Sequence, residues 1–224
     1  MIFSAAQRFI FIHVPKAAGT SINAALSPHD VFHPVRTADV ATKRAFALTA
    51  GVPPALVDLG THGSAAQVID LIGADAFAGY FSFAFVRNPW DVAVSWFHYR
   101  LINPHVPGHK EAAACDTFAR YIDRHIAAPG GEHLVGLQHP FVTNADGDLA
   151  LNFIGRYESF DADYAAVMQR LNVQTLELDR LNQSYHAPWA QLYTRDTFAV
   201  IGKLVEKDAN LFGYATDPDA YGIK

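Results

Sequence analysis

The chain has 224 residues, half of them hydrophobic and 17% charged. That balance suits one globular domain with a well-buried core and excludes a disordered polypeptide. A formal net charge of −5 provides no global basic field for nucleic acid, and a single cysteine, Cys115, excludes an internal disulfide framework. Any anion the protein binds must therefore be met by a local cluster of donors.

Residues 9–14, "FIFIHV", form a continuous apolar run of strand length, as expected of a parallel strand covered on both faces. The run is far too short to span a bilayer, and no signal-length apolar stretch accompanies it. Together with the lone cysteine this gives the expectation of a cytoplasmic enzyme without a transmembrane segment. Residues Thr20 to Leu26 read as a helix ended by Ser27-Pro28. A second helix is expected from Thr37 to about Thr49, stopped by "GVPP". Ser64 can cap a short helix through "AAQVIDLIG", ending at Gly73. Residues 80–87, "YFSFAFVR", are again strand-like.

A longer helix follows at once. Asn88 suits its N-cap, Pro89 its first position, and Asp91 its first turn. Trp90, Val94, Phe97 and Leu101 recur at helical spacing and should face the core, whereas Asp91, Ser95 and His98 share another face. Asp116 is expected to cap a helix through "TFARYIDRHI". "FVTNADGDLALNFIG" reads as two extended segments around an Asp146-Gly147 turn. Helices are expected near 161–171 and 195–208. The alternation predicts an α/β fold in three layers with a mainly parallel central sheet, residues 1–224 forming a single domain. In such a fold ligands bind at the carboxyl ends of the strands, where both strand–loop–helix units begin their helices.

The first of these loops, "PKAAGTS", offers successive backbone N–H groups, one ammonium and two hydroxyls at a helix N-terminus, which suits a phosphate. Gly19 permits close backbone approach or a positive φ. Lys16 precedes that glycine, so the nucleotide-kinase pattern G-x-x-x-x-G-K-[ST] is not met. The plain alternative is an ordinary strand-to-helix turn with a surface lysine. In the second unit Arg87 leaves a strand and Ser95 lies two turns into the next helix, so that together they could clamp a phosphate.

The pair "FIHVPKAAGTS" and "FAFVRNPWDVAVSWF" resembles the two cofactor motifs of sulfotransferases that use 3′-phosphoadenosine 5′-phosphosulfate (PAPS). The likeness is closest to the carbohydrate sulfotransferase branch, whose first motif reads close to "HIPKTAGTS". It extends through "FIGRYESF", "LNQS" and "VEKDANLFGY". The resemblance implies a P-loop-kinase-like fold, PAPS as sulfuryl donor, PAP as product, and a hydroxyl-bearing acceptor such as a sugar or glycoconjugate. It also accounts for the position of the lysine, because this loop would hold a 5′-phosphosulfate rather than a nucleoside triphosphate. By carry-over Lys16, Ala17, Ala18, Gly19, Thr20 and Ser21 would bind the 5′ end. Arg87 and Ser95 would bind the 3′-phosphate, and Tyr157 in "GRYESF" would lie against the adenine. Asn182 and Ser184 of "LNQS" could close over the cofactor. Ala17-Ala18 departs from the commoner Thr-Ala or Ser-Gly pair and removes one possible hydroxyl donor, but backbone donors survive the change.

Sulfuryl transfer to a hydroxyl asks the protein mainly for positioning and charge stabilisation. Lys16 would stabilise the departing phosphate oxygen. His62, in "GTHGS" between the two motifs, is the candidate base, since related enzymes place a histidine or glutamate in this region. Its alternative is a loop or capping histidine. His13 is expected in the core, and His98 is the second candidate because it shares a face with Ser95. The remaining histidines lack metal-ligand spacing and no metal is expected. Asp208 and Tyr214 are expected to fix the C-terminal helix. A nucleoside or nucleotide kinase, and a nucleotide-binding module without catalysis, remain alternatives at this point.

Overall fold

The computed structural model describes residues 1–173 and 187–224. Asn182 and Ser184 lie outside the described residues. The chain forms two compact units. One comprises Met1–Val86 with residues 140–173, and the other comprises Arg87–His139 with residues 187–224.

The first unit is built on a sheet of four strands in the order β1 (Ile2–Ser4), β2 (Phe9–Ile12), β3 (Phe81–Val86) and β4 (Phe153–Arg156). β2 pairs with β3 and β3 with β4 in parallel, while β1 is an antiparallel edge strand. The sheet is thus mixed and mostly parallel, and with the helices around it the fold is α/β. Its central strands are apolar throughout because both faces are covered. Phe9, Phe11, Phe83 and Phe85 alternate onto one face, where they meet Ile22 and Leu26 of α1 (Gly19–Leu26). Tyr164, Val167 and Met168 join the same cluster from a helix at Phe160–Leu171. Ile10, Ile12, Ala84 and Val86 point the other way and are equally buried.

Further helices follow α1 before β3. In α2 (Val40–Thr49) the Asp39 side chain accepts from Thr42 N at 2.8 Å. In α3 (Ala65–Ile72) Ser64 and Gln67 form a reciprocal capping box, and Gly73 ends the helix at φ +86°. Past Leu26 the helical path continues as a 3₁₀ turn, Ser27–His29, because proline is tolerated in a first turn. The α-helix itself ends at Leu26, as expected from Ser27-Pro28.

The segment at 141–155 also departs from the two extended stretches expected. Phe141 and Val142 belong to a short helix, His139–Val142, and the antiparallel pairing shrinks to one bridge between Thr143 and Leu149. The second stretch becomes β4 because β3 offers a longer parallel partner. Asn152 fixes its start, accepting through Oδ1 from Ser82 N at 2.8 Å and Ser82 Oγ at 3.0 Å. Gly155 sits opposite Phe85 in this register, with the aromatic ring lying over its Cα.

The second unit is organised around α4 (Pro89–Ile102), whose Asn88 cap accepts from Trp90 N. Trp90, Val94 and Phe97 are buried as the helical spacing predicts, and Leu101 packs at the margin. The Phe160–Leu171 helix is α5, and α6 (Arg195–Phe212) runs four residues beyond the expected end to a left-handed Gly213. Trp90 stacks on Phe198 of α6 at 4.3 Å, and its indole N–H donates to Phe198 O at 3.0 Å. The helix expected after Asp116 is capped instead by Thr117, which accepts from Arg120 N at 3.2 Å. Asp116 pairs with the Arg120 side chain, since it stands one residue too early to reach the first-turn amides.

A Cβ at residue 155 would stand 2.6 Å from the Phe85 ring, a contact that neither the strand nor the buried phenyl can relieve cheaply. Gly155→Ala should therefore lower stability by about 1–3 kcal/mol, the usual cost of overpacking a core. Urea denaturation measures it, and an unchanged midpoint would show that β4 tolerates displacement from β3.

Candidate active site

The turn that leaves β2 is residues 15–18, and its backbone carries the main distinction of the first unit. Lys16 and Ala18 both adopt left-handed φ, +65° and +63°. Non-glycine residues seldom do so, and left-handed residues in a turn are one element of the backbone nests that hold anions. Ala18 is also the N-cap of α1, and no side chain caps this helix. Side chains cap α2, α3, α4 and α6, at Asp39, Ser64, Asn88 and Thr194. The first turn of α1 carries no carboxylate to offset the positive end of the helix dipole.

Gly19 contributes space rather than a special φ. The His13 ring lies against its Cα so closely that a Cβ would fall 2.0 Å from Cδ2. Of the two roles allowed by the sequence, close approach is the one used. Thr20 is exposed and Ala17 is fully buried. Ser21 is buried, and its amide donates to Ala18 O at 3.1 Å, which leaves its hydroxyl as the distinctive group.

His62 closes a 3₁₀ segment, Pro54–His62, and comes back to this turn. Its Nδ1 lies 3.0 Å from His13 O. A carbonyl can only accept, so Nδ1 must carry a proton, and in the neutral ring Nε2 is then the basic nitrogen. The two imidazoles are 4.6 Å apart, and Phe141 flanks His62 at 6.5 Å. His62 is exposed while His13 is buried at 6% exposure, as expected of a core histidine. Among the described residues His13 Nδ1 has no hydrogen-bond partner. Burial is the main reason its pKa falls from 6.5 to about 3, so the ring beside the lysine turn stays neutral. Tyr157, half-buried, begins a 3₁₀ turn directly after β4.

In the second unit Arg87 directly follows β3. Its Nε and Nη2 each donate to Asp91, at 2.7 Å, forming a buried bidentate pair one helical turn apart. Ser95 is the next residue along that face of α4 and is 2% exposed. Sequence reasoning had placed Asp91 beside Ser95 but not as the carboxylate that orients Arg87. The Arg87 backbone is held as well: its N–H donates to Gln138 Oε1 at 2.9 Å, and its carbonyl accepts from Gln138 Nε2 at 2.7 Å. Asp208 of α6 accepts in turn from the Gln138 and His139 amides at 2.7 and 2.8 Å. Its expected role in fixing the C-terminal helix is thus realised through these two amides. Gln138 carried no signal in the sequence, since an isolated glutamine outside any periodic segment looks like surface. His98, the second base candidate, is half-buried on α4 with its ring against Phe97 at 5.2 Å.

The sheet of this α/β fold is mostly parallel, a lysine-bearing turn without a side-chain cap follows β2, and a buried arginine follows β3. A family model described as the sulfotransferase family matches residues 1–215, and the chain belongs to that family. Comparison with curated proteins and with solved structures returns no significant match. Family membership points to a transferase of sulfuryl groups rather than a nucleotide kinase. No described helix is long and apolar enough to cross a membrane.

The depressed His13 pKa has a consequence for stability. Unfolded, His13 takes a proton near pH 6.5, whereas in the folded chain it does so only near 3. As pH falls between these values the unfolded state gains a proton that the native state refuses, and stability declines by about 1.4 kcal/mol per pH unit. His13→Phe keeps a ring against Gly19 and removes this loss, so the variant should gain on the wild type as pH drops from 6 to 4. Parallel stability–pH curves would show that His13 titrates normally in the fold.

Proposed function

We propose that this sulfotransferase takes its sulfuryl group from PAPS and transfers it in line to an acceptor hydroxyl, on a carbohydrate or glycoconjugate. The observation that carries this reading is the α1 N-terminus, with left-handed Lys16 and Ala18, no side-chain cap and no carboxylate in its first turn. The donor set fits the 5′ end of the cofactor: amides of the turn and helix, the Lys16 ammonium, and the Thr20 and Ser21 hydroxyls. When bound, PAPS supplies a sulfuryl group on a phosphate leaving group.

Lys16 stabilises negative charge on the departing oxygen, and the amides of Ala17, Ala18 and Gly19 add fixed dipoles aimed at the same charge. Arg87 and Ser95 read the 3′-phosphate, Arg87 through a guanidinium whose plane is set by Asp91. Tyr157 offers an aromatic face to the adenine. His62 removes the acceptor proton through Nε2, the nitrogen left basic by the Nδ1 contact with His13 O. Neutral His13 beside it adds no competing positive charge. A glycan acceptor agrees with the likeness of the first motif to the carbohydrate branch, and the acceptor is recognised by loops rather than by this motif pair.

PAP should raise the thermal midpoint in the absence of any divalent cation, because ligand bound only by the folded state stabilises it. Tighter binding of ATP than of PAP, or a strict magnesium requirement, would sink the reading. His62→Ala should leave PAP affinity nearly unchanged and lower kcat by about 10²–10⁴-fold, the usual contribution of a positioned base. The wild-type rate should rise with pH on the acidic side of its profile, as a general base requires, and the variant should lose that limb. Near-normal turnover with an unchanged pH profile would place the base elsewhere.

A further inference from the structure

We infer that Asp208 and Gln138 are positioning residues for Arg87, setting the preference for a ligand that carries a 3′-phosphate. The inference rests on the proposed role of Arg87. It is carried by the way the backbone of that residue is held.

Arg87 follows the last residue of β3, where ladder pairing gives out and a backbone N–H and C=O would otherwise stand unpaired in a buried place. The Gln138 side chain takes both, accepting from the N–H at 2.9 Å and donating to the carbonyl at 2.7 Å. A single amide thus does for Arg87 what a neighbouring strand would do. Gln138 is fully buried, and its own position is fixed from α6. Asp208, 1% exposed, accepts from Gln138 N at 2.7 Å through Oδ2 and from His139 N at 2.8 Å through Oδ1. The same Oδ1 lies 2.6 Å from His139 Nδ1. Both carboxylate oxygens are therefore committed to the 138–139 segment.

The guanidinium, meanwhile, is gripped by Asp91 from the following helix. Arg87 is held at both ends, its backbone by Gln138 and its fork by Asp91. A charged group fixed at both ends has little orientation left to lose when it meets a phosphate, and the benefit depends on both anchors. Asp208 bears on the Arg87 backbone through Gln138, whose amide it accepts from. A purely structural carboxylate would affect all ligands alike. A positioning one affects the ligand that Arg87 reads.

The test measures dissociation constants for PAP and adenosine 5′-phosphate, which lacks the 3′-phosphate, and takes their ratio. Partial unfolding lowers apparent affinity for both ligands equally and cancels. Arg87→Ala should reduce the preference for PAP roughly ten- to hundredfold, as expected for loss of a charged hydrogen bond. Asp208→Asn, which presents a donor to a donor, should reduce it about three- to tenfold, a coupling of the size seen within one hydrogen-bond network. Gln138→Met, of similar volume but unable to bond the Arg87 backbone, should do the same. In the Arg87→Ala background Asp208→Asn should have no further effect on the ratio. If Arg87→Ala leaves the preference intact, Arg87 is not the reader and both ideas fall together. If Arg87→Ala collapses it while Asp208→Asn and Gln138→Met leave it unchanged, or if the double variant loses more than Arg87→Ala alone, only the positioning role falls. Failure of both single variants to fold would assign the pair to the core and overturn the inference.

Discussion

The parallel pairing of β2 with β3 is the constraint on which the rest depends. Parallel neighbours end at the same edge of a sheet; in the chain β2 is followed by the Lys16 turn and β3 by Arg87. Each exit then meets the same difficulty, a run of backbone donors and acceptors without ladder partners. The two exits solve it differently. After β2 the chain turns through two left-handed residues. After β3 a glutamine side chain closes the backbone, and the guanidinium is braced by Asp91.

The residues after β2 and β3 carry costs in stability. Left-handed φ at Lys16 and Ala18 costs about 1 kcal/mol or more per residue, and no side-chain cap offsets it at α1. His13 is buried with an unpartnered Nδ1 where a phenylalanine would fit the apolar surroundings. The Arg87–Asp91 pair is buried as well, and such pairs seldom add net stability over apolar residues of the same size. These departures from good folding economy gather at the strand exits. Elsewhere side chains cap α2, α3, α4 and α6, a left-handed Gly213 ends α6, and aromatic rings stack in the cores.

His62 illustrates how a tautomer is chosen by backbone. The contact with His13 O requires a proton on Nδ1, and the donor is the nitrogen nearer the main chain. Sequence position alone placed His62 between the two motifs, and nothing in that placement distinguished a base from a capping residue. Its return to the lysine turn across forty-nine residues distinguishes it from His98, which sits in the other unit beside Phe97.

By itself the sequence determined the strands at 9–12 and 81–86, the helices that follow them and the lysine turn. Each is written in contiguous residues: apolar runs of strand length, cap residues, helical spacing and one motif. It also determined that Trp90, Val94 and Phe97 face inward, because a 3.6-residue period needs no partner to be read. The tertiary structure alone decided the rest. β4 joins β3 rather than folding back as a hairpin, because the preference depends on what lies alongside. Gly19 is required by the His13 ring and Gly155 by the Phe85 ring, contacts no local pattern encodes. Gln138 and Asp208 became visible only once α6 was packed, since their hydrogen bonds join positions fifty-one and seventy residues apart. Local propensity is a property of neighbours in the chain, whereas bracing an arginine depends on neighbours in space.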